Sequence, residues 1–180
     1  MTEHRPWGWG LALAILAADQ VSKWAILDYF AAAPANIVGV TPYFNIVLAW
    51  NPGISFGMFG AGGDVGRWIL VALAAVICGV LGRWLMRAET RFAALSLGAI
   101  IGGAVGNVID RVRFGAVVDF LDVHVLGYHW PAFNVADGAI TVGATVLILE
   151  SLFAASKTPT KDVDPKVEDR HTGEETGNGS

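Results

Sequence analysis

The sequence predicts a membrane protein, mainly α, with four transmembrane helices and a small extramembrane β region. Three observations carry that expectation. Of 180 residues, 54% are hydrophobic and only 16% charged, and the mean hydropathy of +0.52 is too apolar for a soluble domain of this size. Several apolar runs approach the roughly 20 residues that a helix needs to cross a bilayer. Between two of those runs lies a stretch broken by Pro and Gly and rich in β-prone residues. The net charge of −4 is unevenly placed, because residues 157–180 hold 10 charges and no aromatic. That is the composition of a disordered tail, and it leaves residues 1–156 as one membrane-embedded unit. The lone cysteine, Cys78, lies in an apolar run, where it reads as a small buried hydrophobe.

The first helix is expected over residues 7–27. His4 and Arg5 ahead of an apolar run could also mark a cleaved signal peptide, but Asp19-Gln20-Val21-Ser22-Lys23 interrupts the run without ending it. Asp19 and Lys23 are spaced i, i+4 and can pair on one helix face, a structural role. Residues 28–63 differ in kind. Pro34, Gly39, Pro42, Asn51, Pro52 and Gly53 exclude a spanning helix, and residues 37–40 and 43–48 read as strands ending in an Asn-Pro-Gly turn. An open edge of that sheet could take an extended peptide as an added strand.

A second helix is expected over 65–86, with Asp64 as its N-cap and Arg67 and Arg83 snorkelling at its ends. The third covers 92–109 without a charge, and Gly98, Gly102 and Gly106 give it a smooth packing face. The fourth covers 138–156. If the link holding Arg87 and Arg91 is cytoplasmic, both termini are too. Arg5, Arg83, Arg87, Arg91, Lys157, Lys161, Lys166 and Arg170 are then inside, against Lys23, Arg67, Arg111 and Arg113 outside. The positive-inside rule favours this orientation, which puts the 28–63 region and the 110–137 loop on the outer face.

Polar residues concentrate between Gly102 and Asp137. Asn107, Asp110, Arg111, Asp119, Asn134 and Asp137 lie there, and ionisable groups at a bilayer edge mark a site. Two carboxylates about 3 Å apart share a proton, one acting as base towards water and the other as acid towards a carbonyl. Asp119, read as a loop residue among Val117, Val118, Phe120 and Leu121, would have its pKa raised by desolvation. Asp137 heads the fourth helix, whose dipole favours its charged form. A proteolytic pair of Asp119 and Asp137 follows from those unlike environments. Blander roles compete with it. Asn134-Val-Ala-Asp137 has the spacing of a capping box, Asp119 could be a solvated loop residue, and Asp122 is a rival carboxylate. Gly53-Ile54-Ser55-Phe56-Gly57 fits a nucleophile elbow with His124 or His129 as base, although the strand–turn–helix context of that motif is lacking. No metal motif is present. A transporter relaying protons would place its acids near mid-bilayer, often with internal repeats. A binding protein that assembles its partner without cutting would not need either aspartate's acidity.

Five blocks in order then identify a resemblance: Asp19-Gln20-x-x-Lys23; Asn51-x-Gly53-x-Ser55-Phe56; Gly102-Gly103-Ala104-x-Gly106-Asn107-x-x-Asp110-Arg111; Val118-Asp119-Phe120; and Phe133-Asn134-x-Ala136-Asp137. Across about residues 10–155 the chain resembles the lipoprotein signal peptidases (signal peptidase II) of bacterial membranes. The resemblance implies an aspartic endopeptidase of the cell membrane with four helices and an extracytoplasmic β-cradle. Such an enzyme cleaves the signal peptide from diacylglyceryl-modified prolipoproteins, N-terminal to the lipidated cysteine. It implies Asp119 and Asp137 as the catalytic dyad, with Asn51, Gly53, Asn107, Arg111 and Asn134 around the substrate. Asp19, Lys23 and Asp110 match polar positions of structural or supporting kind. Membrane lipids and globomycin-type cyclic peptide inhibitors are the further partners it implies. No cofactor, metal or nucleic acid is expected. Ser55 stands where alanine is frequent in the family, which creates the elbow-like motif by accident.

Overall fold

The computed structural model describes residues 3–53 and 64–155. Ser55 and the tail therefore lie outside the described residues. The chain runs α1 (Arg5–Ala31), β1 (Ile37–Thr41), β2 (Phe44–Asn51), α2 (Asp64–Leu85), α3 (Arg91–Phe114), β3 (Val117–Val125), β4 (Tyr128–His129) and α4 (Val135–Ala155). All four helices are long and apolar enough to cross a membrane. The protein is mainly α-helical, and its strands form one small antiparallel sheet in the order β1-β2-β3-β4.

The helix α3 is the axis of the bundle. Ala94, Leu97, Gly98, Ile101, Gly102, Gly103 and Gly106 are among its buried residues, whereas only Leu85 is buried on α2. Its glycines make that position possible. A Cβ on Gly98 would run into the Gly8 carbonyl, and one on Gly102 into that of Ala12, so α1 lies directly against the glycine row. On the other side Gly103 meets the carbonyl of Ala136 on α4. Small residues let backbones approach closely where lipid provides no hydrophobic drive between helices. The bulky side chains point outward instead. Trp68, Leu73, Val76 and Val80 of α2 are exposed, as a lipid solvent requires.

Several boundaries differ from the sequence expectation. The third helix does not stop at 109. It continues to Phe114 and ends at Gly115, which takes the left-handed φ of +81° and whose N–H returns to the Arg111 carbonyl. Asp110 and Arg111 are therefore helical. The first helix extends to Ala31, and α4 begins at Val135, so Asp137 sits inside its first turn. Asp119 is in no loop. It lies in β3, whose Val117, Asp119 and Leu121 face Asn51, Ala49 and Ile46 of β2.

That pairing places the site. Since β2 and β3 are neighbours, α2 leaves the sheet and α3 returns to it, bringing the ends of α1 and α3 and the starts of α2 and α4 to one end of the bundle. The segment before α4 is tied to β3 as well. Phe133 N–H donates to the Leu121 carbonyl at 3.1 Å, and the Phe133 carbonyl accepts from Phe120 and Leu121 at 3.0 and 2.8 Å. At the opposite end, residues 3–5 share a cavity with residues 86–89.

Candidate active site

Asn134 immediately precedes α4 and is completely buried. Its side-chain oxygen accepts from the Asp137 N–H at 3.0 Å, while Asp137 Oδ2 accepts from the Asn134 N–H at 3.3 Å. This is the reciprocal capping box that the spacing allows. The other half of the same amide does different work. Asn134 Nδ2 donates to Asp119 Oδ1 at 2.7 Å, and also lies 3.3 Å from the Val118 carbonyl and from Asn107 Oδ1. One asparagine thus orients Asp137 through the helix cap and Asp119 through its amino group. The cap of α4 and the contact to Asp119 are made by one side chain.

Asp137 is held from the other side by α3, because Asn107 Nδ2 donates to Asp137 Oδ1 at 2.8 Å. Asn107 is itself oriented. Lys23 Nζ donates to its Oδ1 at 3.0 Å and simultaneously pairs with Asp19 Oδ2 and Asp110 Oδ2, both at 2.8 Å. These three charged groups are buried. One ammonium between two carboxylates leaves a net negative charge, which further donors offset. Asp19 Oδ1 accepts the Ala136 N–H at 3.0 Å, and Asp110 Oδ2 accepts the Val118 N–H at 3.1 Å. Asp19 therefore pins the start of α4, and Asp110 pins the start of β3. Gln20, absent from the expected site, donates to Asp110 Oδ1 at 3.1 Å and to the Gly106 carbonyl at 3.3 Å. Its place in the Asp19-Gln20 block was the available signal.

Asn51, at the end of β2, hydrogen-bonds the Asp119 side chain and accepts from the Gly53 N–H at 2.9 Å. Gly53 has φ of +89°, and a Cβ there would lie 2.5 Å from Leu70 Cδ1 and 3.9 Å from Arg111 Nη2. The positive φ favours glycine here, and the turn sits against the Leu70 side chain and the Arg111 guanidinium. Arg111 Nη1 donates to the Asn107 carbonyl at 3.3 Å, and Asp137, Asp119 and Asp110 all act on its charge. Arg67, at the start of α2, donates Nη2 to the Val112 carbonyl at 2.8 Å, joining α2 to the end of α3.

Burial pushes the Asp119 carboxyl up to about 6, and the charge of Asp137 adds to the rise. The hydrogen bonds from Asn51 and Asn134 and the charge of Lys23 act in the opposite direction. A carboxyl that keeps its proton nearer neutrality, beside a second carboxyl, can divide acid and base work. Asp122 has another setting. Three residues from Asp119 in one strand, it belongs to the opposite sheet face. There it accepts from Asn45 Nδ2 at 2.7 Å and lies 2.9 Å from His129 Nδ1, and His129 stacks on His124. Burial would raise the Asp122 pKa, but the Asn45 hydrogen bond and His129 outweigh it, and the net shift is downward. Among the described residues no group of three or more His, Cys, Asp or Glu side chains could hold a metal.

Comparison with known proteins identifies the family. The family model for signal peptidase (SPase) II matches residues 11–153. The lipoprotein signal peptidase of Rhizorhabdus wittichii is 41% identical over 163 residues, covering 89% of this chain and 95% of the relative. That of Nitrobacter hamburgensis is 46% identical over 154 residues, covering 82% and 94%. Two solved structures of a bacterial membrane enzyme superpose with TM-scores of 0.72 and 0.69 at 27% and 28% identity. The first covers 88% of this chain and 94% of its own, the second 82% and 93%. The chain belongs to the signal peptidase II family, and with that membership it is an aspartic endopeptidase of the membrane.

Proposed function

We propose that Asp119 and Asp137 are the catalytic dyad of a lipoprotein signal peptidase that cleaves diacylglyceryl-modified prolipoproteins on the N-terminal side of the lipidated cysteine. The observation that carries this reading is the Asn134 side chain, whose amide oxygen fixes the Asp137 backbone while its amino group holds Asp119. Asp137 takes a proton from water, and the water oxygen attacks the scissile carbonyl. Asp119, whose buried carboxyl holds its proton up to about 6, protonates the carbonyl oxygen. Collapse of the tetrahedral diol breaks the C–N bond: the amine leaves with the proton that Asp137 took up, and a diol hydroxyl returns its proton to Asp119 as the carbonyl of the new acid forms. Neither metal nor covalent intermediate is needed for this route.

In this reading Asn51, Gly53 and Arg111 orient the extended peptide beside Asp119, while Asn107 and Asn134 support the dyad. Asp19, Lys23 and Asp110 hold the elements in place. The substrate's acyl chains belong in lipid, so its scissile bond has to be presented near headgroup level, where the sheet end of the bundle would meet it. Arg87 and Arg91 in the link 86–91 support an orientation with that end and both termini in the cytoplasm and the dyad near the outer face. Residues 1–156 form the peptidase, residues 157–180 a cytoplasmic tail, and a globomycin-type cyclic peptide would compete for the dyad. Cleavage of a diacylglyceryl-modified prolipoprotein by purified Asp119→Asn, Asp137→Asn and Ser55→Ala variants tests the reading. Both asparagine variants should be folded and inactive while Ser55→Ala cuts. An active asparagine variant with a dead Ser55→Ala would transfer the chemistry to the serine.

A further inference from the structure

A second polar feature lies at the other end of the bundle and takes no part in peptide hydrolysis. Glu150 follows Asp137 by 13 residues on α4, about 20 Å along the axis at 1.5 Å per residue. It therefore belongs to the opposite leaflet. Its Oε1 accepts from the Thr90 hydroxyl, which in turn caps α3 by accepting from the Ala93 N–H at 3.0 Å. Its Oε2 is buried without a hydrogen-bond partner among the described residues. A buried carboxylate oxygen without a donor is costly, and more so near lipid.

Beside Glu150 opens a cavity of about 580 Å³, bounded by the turn between α2 and α3 and by the outer face of α4. Trp84, Leu147 and Ile148 form its apolar wall, while Arg87 and Glu89 stand with Glu150 at its polar end. Trp84 and Ile148 are exposed on helices that face lipid. An occupant has to match three demands at once: a donor cation for the carboxylates, an anion for the arginine, and hydrocarbon for the wall.

We propose that this groove binds a zwitterionic glycerophospholipid with a primary ammonium headgroup, in the leaflet opposite the dyad. The ammonium pairs with the Glu89 and Glu150 carboxylates that line the groove, the phosphate lies against Arg87, and an acyl chain runs along Trp84, Leu147 and Ile148. Charge complementarity selects this lipid. A quaternary ammonium headgroup has no N–H to donate, and a glycerol headgroup brings no cation to Glu89 and Glu150. The bound lipid would brace α4 against the α2–α3 turn.

The test uses the delipidated full chain in detergent, with phosphatidylethanolamine, phosphatidylcholine and phosphatidylglycerol of identical acyl chains. Bound lipid is read by native mass spectrometry and stability by thermal unfolding. A hydrogen bond to a charged group implies that phosphatidylethanolamine binds about tenfold more tightly than either alternative. Glu150→Gln should bring that ratio to about one, since the donor then gains little over a quaternary ammonium. Equal binding of phosphatidylethanolamine and phosphatidylcholine, or a preference for phosphatidylglycerol, overturns the proposal. So does a Glu150→Gln variant that retains the preference. The wild-type comparison decides alone if that variant does not fold.

Discussion

Lys23 Nζ on α1 donates to Asn107 Oδ1 on α3 at 3.0 Å, and this bond sets which way the Asn107 amide faces. An ammonium can only donate, so the amide oxygen turns to Lys23 and the amino group turns to Asp137, at 2.8 Å. A buried charge on α1 thereby orients the Asp137 carboxylate through one amide. Removing it should do more than remove an ion pair. Lys23→Met leaves Asp19 and Asp110 buried without their cation, which costs about 3–5 kcal/mol. Adding Asp110→Asn should recover part of that loss. Thermal unfolding of the single and double variants in one detergent checks this, and equal stability of Lys23→Met and wild type would contradict it.

Asn134→Ala separates the two functions of that residue. Loss of the cap costs about 1 kcal/mol, and a misplaced dyad should lower kcat about 100-fold. Because Asn134 is completely buried, KM should change much less than kcat. A KM-dominated loss would place Asn134 in substrate binding instead.

Asp119 makes the folded protein pH-sensitive in a definite direction. Its pKa rises from 3.8 to about 6 on folding, so its contribution to stability is fully present below about 3.8 and is lost as pH rises through about 6. The rise corresponds to about 3 kcal/mol at alkaline pH. Asn keeps the acceptor for Asn134 and never ionises. Asp119→Asn should therefore match wild type near pH 4 and exceed it by about 3 kcal/mol near pH 8, as thermal unfolding across that range would show. If Asp119 belongs to the proposed dyad, that more stable variant should also be inactive.

The helices were legible in the sequence because hydropathy reports what lipid will accept. Their ends were not, for the same reason. The apolar run of α3 stops at Asp110, but the helix continues until Gly115 ends it, and the readable stop signal was that glycine. Strand β3 was missed altogether. Its partner β2 is separated from it by two whole helices, and Ala49 opposite Asp119 is a relation that no local pattern contains. The capping spacing of Asn134 and Asp137 was visible, yet the second half of the Asn134 amide could not be assigned a partner until β3 was placed. The Asp19–Lys23 pair followed from helical spacing. Its bond to Asn107, 84 residues away, did not.

In the proposed dyad the charge of Asp137 acts on Asp119 and raises its pKa. The most direct measurement is a carboxyl ¹³C NMR titration of the aspartate-labelled protein, wild type beside Asp137→Asn. The wild-type Asp119 resonance, assigned by its absence in Asp119→Asn, should titrate near 6. In Asp137→Asn it should move lower, because the neighbouring negative charge that raises it is gone. An Asp119 titration that is the same in both proteins would contradict the pair.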